Sequence, residues 1–295
     1  MEACMQIFSF IFLFLFLASN LFAQQKVVLI TGATSGIGLA AAKAFHEKGW
    51  KVWAGCRKRI PDELNQMKNV RLCPLDVTND RQIQSAVEAI FRENGRIDVL
   101  INNAGYGLIG AEECVTIEEA QHLFDVNFFG ALRLIQGVLP MMRQQRSGHI
   151  LNISSGVGVH PLPGLGLYSA SKFALEGLTE SLAATLTPWN IKVSIIEPGF
   201  VKNKWGKHCM IGSRPCYEEI YKKLTIAICN MLAVPRGQPC EEVAALLVQI
   251  AETPQPDLRY QTTPDMKQYI AETLVDPSGN KLLEQNINFL NKMIK

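Results

Sequence analysis

Tyr168 and Lys172 stand four residues apart in Tyr168-Ser169-Ala170-Ser171-Lys172, and of the six tyrosines only Tyr168 has a lysine at that distance. On a helix, positions i and i+4 share a face. A free phenol titrates near a pH of about 10, too high for acid–base work in neutral water. A neighbouring ammonium favours the phenolate and brings it toward the working range. The pair therefore suits proton transfer at a substrate oxygen. A surface pair at the same spacing is the plain alternative, so the two residues carry weight only in company.

That company begins at Thr31-Gly32-Ala33-Thr34-Ser35-Gly36-Ile37-Gly38, which follows an apolar run and opens a helical one. Gly32 allows a tight turn, Gly36 lets the backbone approach a pyrophosphate, and Gly38 lets helix and strand pack closely. The free N–H groups around Ser35, Gly36, Ile37 and Gly38, at the positive end of the helix, then face the phosphates. An ordinary strand–helix turn is the alternative, but the required strand and helix flank the motif. Enzymes that use NAD place an acid about twenty residues past these glycines, for the ribose hydroxyls. Here the second strand ends in Gly55-Cys56-Arg57-Lys58-Arg59, with no acid until Asp62. Cations in place of a carboxylate suit a 2′-phosphate, so NADP(H) is expected over NAD(H), with Arg57 as its contact.

The spacing TGxxxGxG resembles that of the short-chain dehydrogenase/reductase family, and further motifs stand where that family has them. Asn102-Asn103-Ala104-Gly105 ends the fourth strand-like run, and Asp76 lies in Leu75-Asp76-Val77. Asn127 lies in Val126-Asn127-Phe128, Ser155 ends Asn152-Ile153-Ser154-Ser155, and Pro198-Gly199-Phe200-Val201 follows the sixth run. The resemblance implies that Asn103, Ala104 and Gly105 border the adenosine and that Asp76 contacts the adenine amino group. It further implies that Pro198, Gly199 and Val201 close over the nicotinamide. By the same resemblance Tyr168 is the acid–base, Lys172 also bonds the nicotinamide ribose, Ser155 polarises the substrate oxygen, and Asn127 positions a water that relays the proton. The family often has a threonine a few residues after Pro-Gly, where this chain reads Lys202-Asn203-Lys204; Asn203 is the available donor. A narrower resemblance, in 168–178, Asp257-Leu258-Arg259-Tyr260, Thr262-Thr263 and Asp276-Pro277-Ser278-Gly279, is to the branch holding 17β-hydroxysteroid dehydrogenase type 1 and the photoreceptor retinol dehydrogenase. That branch implies NADP(H) and, as small-molecule partner, a bulky hydrophobic alcohol or carbonyl substrate such as a steroid, retinoid or lipid. A reductase of small aldehydes or ketones and a non-catalytic NADP-binding regulator are the alternatives. A sugar-nucleotide epimerase would use a similar Tyr–Lys pair but with different glycine spacing and a larger carboxyl-terminal domain.

Positioning these residues takes a particular architecture. Apolar runs at 27–31, 51–55, 70–74, 99–102, 149–153 and 192–196, with a weaker seventh at 258–261, alternate with helical stretches at 38–48, 81–93, 117–144, 168–186 and 241–252. This is the pattern of an α/β Rossmann fold, a doubly wound seven-stranded parallel sheet with helices on both faces. Ligands of such sheets sit at the carboxyl ends of the strands. One domain is expected over 26–295, with a substrate lid at about 203–239, where the rhythm breaks and Trp205, Met210, Tyr217, Tyr221 and Met231 occur. Those side chains suit either an apolar substrate or ordinary packing. By family habit, 117–144 and 168–186 would form the interface of a homodimer or homotetramer.

Composition bounds the rest. With 48% hydrophobic residues and a net charge of +2, the chain is globular and gives no reason to expect a nucleic-acid partner. Residues 1–25 form a hydrophobic leader whose apolar core, with the stretch 7–23 as the membrane contact, has signal-peptide length and falls short of a full span. It carries Glu2 and no Lys or Arg before the core, which is wrong for an ordinary export signal. Membrane association or export is expected, with cleaved signal and uncleaved anchor both open; without the leader the domain would be cytoplasmic. The eight cysteines form no CxxC pair, so neither a metal site nor a dithiol motif is expected. Free thiols are the favoured reading, with a disulfide among Cys209, Cys216, Cys229 and Cys240 as the alternative.

Overall fold

The computed structural model describes residues 25–57, 61–234, 236–275 and 280–293; the leader, Lys58, Arg59 and 276–279 lie outside them. Strands β1 (Val27–Ile30), β2 (Lys51–Cys56), β3 (Val70–Pro74), β4 (Val99–Asn102), β5 (Gly148–Ile153), β6 (Ile191–Glu197) and β7 (Arg259–Gln261) form one sheet. Their order is β3-β2-β1-β4-β5-β6-β7, and every neighbouring pair is parallel. The order reverses direction at β1, so the crevice between the ends of β1 and β4 is the switch point where such a sheet holds a ligand.

The main helices are α1 (Gly36–Glu47), α2 (Asp80–Asn94), α3 (Ile117–Phe124), α4 (Gly130–Gln145), α5 (Gly166–Thr185), α6 (Glu219–Ala233), α7 (Cys240–Glu252), α8 (Pro264–Leu274) and α9 (Asn280–Met293). Helices α1 and α7 close one face of the sheet around Phe45, Val52, Ile101, Val243 and Leu247. Helices α2, α4 and α5 close the other around Trp53, Ile90, Leu100, Leu134 and Ile150. Covered on both faces, the central strands must be apolar throughout, and VVLI of β1 is buried at every position. Each fully buried Leu, Ile or Phe contributes about 1.5–3 kcal/mol, enough for these two layers to hold the strand ends rigidly under the site.

The expected stretch 117–144 is helical throughout, with α3 running into α4 through a π turn at Asp125–Phe129 that the hydrophobic period does not reveal. The lid region 203–239 carries a helix not expected from the sequence, α6, which fills much of it. It is also stitched to the body by two short parallel pairs, Leu108–Ile109 with Met210–Ile211 and Val201–Lys202 with Gln238–Pro239. Finally, Cys216 is disulfide-bonded to Cys114, 102 residues away. This overturns both cysteine expectations, because the partner lies outside the group of four considered. Cys56, Cys73, Cys209, Cys229 and Cys240 are free.

Candidate active site

The glycine turn is shaped by its neighbours. Gly32 has φ +65, and a Cβ on Gly38 would come 2.3 Å from Gly32 O and 2.5 Å from Asn103 Nδ2. Asn103 is the clamp: its amide Nδ2 donates to Thr31 O at 2.9 Å, and both Asn103 N and Ala104 N donate to Thr31 Oγ1 at 2.9 Å. The end of β4 thus fixes the turn after β1. Ser35 takes the N-cap position of α1 without a side-chain cap bond, and no acid lies in the first turn. The N–H groups of Gly36, Ile37 and Gly38 therefore face outward at a positive helix end, a cradle for a pyrophosphate.

Arg57 and Asp76 leave adjacent strand ends, since Cys56 is opposite Pro74. Burial pushes the Asp76 carboxyl up. Hydrogen bonds from Thr78 N at 3.0 Å and Thr78 Oγ1 at 2.7 Å, with the Arg57 and His122 charges, outweigh it and hold the group below its ordinary value. A cation and an acceptor thus stand side by side at the ends of β2 and β3.

Across the switch point, α5 carries Tyr168 and Lys172, both buried. Lys172 Nζ donates to Ile153 O at 2.8 Å and lies 5.9 Å from the centroid of the Tyr168 ring. Asn127, inside the π turn, accepts from Tyr106 N at 3.0 Å and donates to Tyr106 O at 2.9 Å and Ser171 Oγ at 3.1 Å. A Cβ on Gly105 would come 3.1 Å from Asn127 Oδ1 and 3.6 Å from Lys172 Nζ, so these three residues meet. Ser155 follows β5 and accepts a long bond from Val157 N at 3.4 Å. Burial raises the Tyr168 phenol well above its ordinary value, with the Ser155 hydroxyl working against that rise. Burial also pushes Lys172 down to about 8, resisted by Glu176. The Lys172 ammonium is turned to the Ile153 carbonyl, with the Tyr168 ring beside it.

The loop after β6 closes the site. Pro198 O accepts from Gly156 N at 3.0 Å, and Val201 joins the short pair that anchors the lid. Asn203 faces the turn, its Nδ2 lying 3.6 Å from where a Gly36 Cβ would be. Trp205 is the lid residue that reaches the chemistry: its ring lies 5.2 Å from that of Tyr168, tilted by 52°. Gly107 makes room for it, as a Cβ there would sit 2.7 Å from Trp205 Cη2. Tyr217 points to solvent, and Met231 packs in the small core around Ile228. Sequence reasoning missed Met266 on α8, whose Cε would lie 2.7 Å from a Cβ on Gly199 and whose Sδ would lie 2.4 Å from one on Gly156. No spacing rule links a methionine to those glycines.

A family profile described as short chain dehydrogenase matches residues 26–209. The chain belongs to the short-chain dehydrogenase/reductase family. This dehydrogenase is 34% identical to human retinol dehydrogenase 8 over 88% of each chain. It is 35% identical to human 17-beta-hydroxysteroid dehydrogenase type 1 over 87% of this chain and 83% of that one. It is 47% identical to the 3-ketodihydrosphingosine reductase of Bacteroides thetaiotaomicron, but over 60% of this chain and 64% of that protein's length. Among solved structures it resembles a short-chain dehydrogenase from Streptomyces avermitilis, with TM-score 0.78, 32% identity and coverage of 88% and 95%. A Burkholderia phymatum relative in complex with NAD has TM-score 0.74, 26% identity and coverage of 88% and 95%. A serine dehydrogenase complexed with NADP+ has TM-score 0.68, 26% identity and coverage of 80% and 93%. The dehydrogenase is therefore an oxidoreductase acting on CH–OH groups with a nicotinamide cofactor, and the cradle at Gly32–Gly38 fits that cofactor.

Proposed function

We propose that the chain interconverts an apolar alcohol and its carbonyl with NADP(H) in preference to NAD(H). The observation that carries the substrate class is the Trp205 indole lying over Tyr168. The surface beside the proton donor is aromatic, so the carbon skeleton next to the reacting oxygen is apolar. The retinoid and steroid names of relatives aligned over most of the chain, with a long-chain keto compound in the name of a third, agree with that class. Arg57 beside Asp76 supports the 2′-phosphate.

When bound, the nicotinamide supplies or takes up the hydride. The Tyr168 hydroxyl gives its proton to the carbonyl oxygen in reduction and recovers it in oxidation. Burial by itself holds the phenol too high for ready proton exchange at neutral pH, so the Ser155 hydroxyl and the Lys172 charge are the groups that favour its ionised form. Ser155 orients the oxygen from the end of β5. Lys172 supplies positive charge behind the phenol, and Asn127 holds the Tyr106 loop and α5 together at the floor of the site. The leader at 7–23 would keep the domain at a bilayer, where apolar substrates partition; among the described residues no helix is long and apolar enough to cross a membrane.

The test is NADPH and NADH oxidation followed at 340 nm with a retinal, a ketosteroid, a long-chain 3-keto compound and small aldehydes. Turnover concentrated on the apolar carbonyls with NADPH is expected, and Tyr168→Phe should lose about 10²–10⁴-fold in kcat with NADPH binding kept. Equal turnover of small aldehydes would overturn the substrate class. An active Tyr168→Phe would overturn the acid–base role.

A further inference from the structure

Glu176 lies one turn beyond Lys172 on α5, with its side chain 6% exposed, and the chemistry above does not use it. A buried carboxylate needs partners. Its Oε2 accepts from Arg259 Nη1 at 2.6 Å. The same guanidinium binds Glu197 at 2.5 Å, at the end of β6, and Glu180 at 2.5 Å, one turn further along α5. Gln261 Nε2 donates to Glu197 Oε2 at 2.6 Å. Arg259 and Gln261 both belong to β7, so this edge strand, beyond the residues 26–209 matched by the family profile, reaches back to the helix of Tyr168 and Lys172.

The other carboxylate oxygen, Oε1, is buried without a hydrogen-bond partner, as is Ser154 Oγ. A Cβ on Gly158 would come 2.6 Å from Ser154 Oγ, 3.1 Å from Glu176 Oε1 and 3.1 Å from Lys172 Cβ. Ser154 Oγ, Glu176 Oε1 and the Cβ of Lys172 therefore border one small space, so the carboxylate lies against the base of the lysine side chain. The groups facing Glu176 are Lys172 and Glu180 on α5, Ser154 after β5, Glu197 on β6 and Arg259 on β7.

We propose that Glu176 is a positioning residue for the acid–base pair: pinned by Arg259, its carboxylate keeps the buried Lys172 in the ammonium form. Burial drives Lys172 down to about 8 even with Glu176 beside it. Burial likewise lifts Glu176 to about 7; Arg259 opposes that rise and Glu197 adds to it. The two groups thus titrate in neighbouring ranges and influence one another. With the carboxylate removed, nothing on α5 offsets the burial of the lysine, and its proton leaves at lower pH.

This inference rests on the proposed acid–base role, so its test reads Lys172 directly as well as turnover. Lysine-selective ¹³C labelling of the full chain gives a titration for Lys172, its signal assigned as the one missing in Lys172→Arg. In Glu176→Gln the Lys172 midpoint should fall by about one pH unit, and the alkaline limb of kcat/KM should move down with it. Glu176→Asp, which keeps the charge, should stay near wild type. Glu176→Met, filling the space without charge, should repeat the shift and replaces the glutamine variant if that one does not fold. A lowered midpoint with no substrate turned over would support the inference while sinking the proposed function. An unchanged midpoint in a folded glutamine or methionine variant, or an aspartate variant as shifted as the glutamine one, would overturn it.

Discussion

Arg57 emerges from β2 beside the Asp76 carboxyl, and its charge is felt there and at Tyr106. A charge-assisted hydrogen bond contributes about 1.5–3 kcal/mol, and each 1.4 kcal/mol or so is tenfold in affinity. Arg57→Ala should therefore lower the NADPH-to-NADH ratio of kcat/KM by about 10–100-fold, with the NADH value nearly unmoved. Equal losses with both cofactors would mean that Arg57 does not read the second phosphate. Residues of this kind were legible from sequence because their chemistry dictates their type and spacing: Gly38 because nothing larger fits beside Gly32 O, and Tyr168 with Lys172 because helix geometry sets them four apart. Glu176 and Arg259 were not legible. Their contact spans 83 residues and depends on which strand becomes the edge of the sheet.

Elements tell a similar story. The central strands of the sheet were readable because burial on both faces demands unbroken apolar runs. Helix α6 was hidden by the Tyr, Lys and Cys of EIYKKLTIAICNMLA, which obscure a two-residue anchor, Leu224 and Ile228, against the lid core. The fastening of the lid was equally hidden. Met210 N donates to Gly107 O at 2.8 Å, Gly212 N to Ile109 O at 2.9 Å, and Arg214 N to Cys114 O at 3.1 Å; the Cys114–Cys216 bond closes this strap. Trp205 hangs from the strapped segment over Tyr168, so loosening the strap should loosen the site. Cys216→Ser, or reduction of the wild type with dithiothreitol, should cost about 2–4 kcal/mol of stability in urea melts. It should also raise KM for apolar carbonyls several-fold while NADPH binding stays put. A wild type whose melt does not respond to dithiothreitol would show that the strap does not depend on the bond.

At the scale of the molecule, some of the exposed apolar surface lies on the helices that carry the site. Ile117 is 69% exposed, Phe129 45% and Phe173 44%. Phe173 follows the buried Lys172 on α5 and so points away from the active site, while Phe129 closes the π turn that holds Asn127. Beside Phe129 runs a groove of about 680 Å³ lined by Ile117, Phe124, Phe129 and Arg133. Large apolar side chains gathered on one face favour association, and a face covered by its own copy through a two-fold axis closes without growing further. A second chain there would brace α5 and the π turn from outside, linking assembly to the geometry of Tyr168, Lys172 and Asn127. The chain should sediment as a dimer or tetramer at micromolar concentration. Phe173→Glu and Phe129→Glu should each shift it to monomer, because burying an unpaired carboxylate at an apolar contact costs several kcal/mol. Turnover per chain should fall as the monomer appears and return at high concentration in the weaker of the two variants. A wild type that stays monomeric at about 100 μM would leave this face to another occupant and remove the self-association reading altogether.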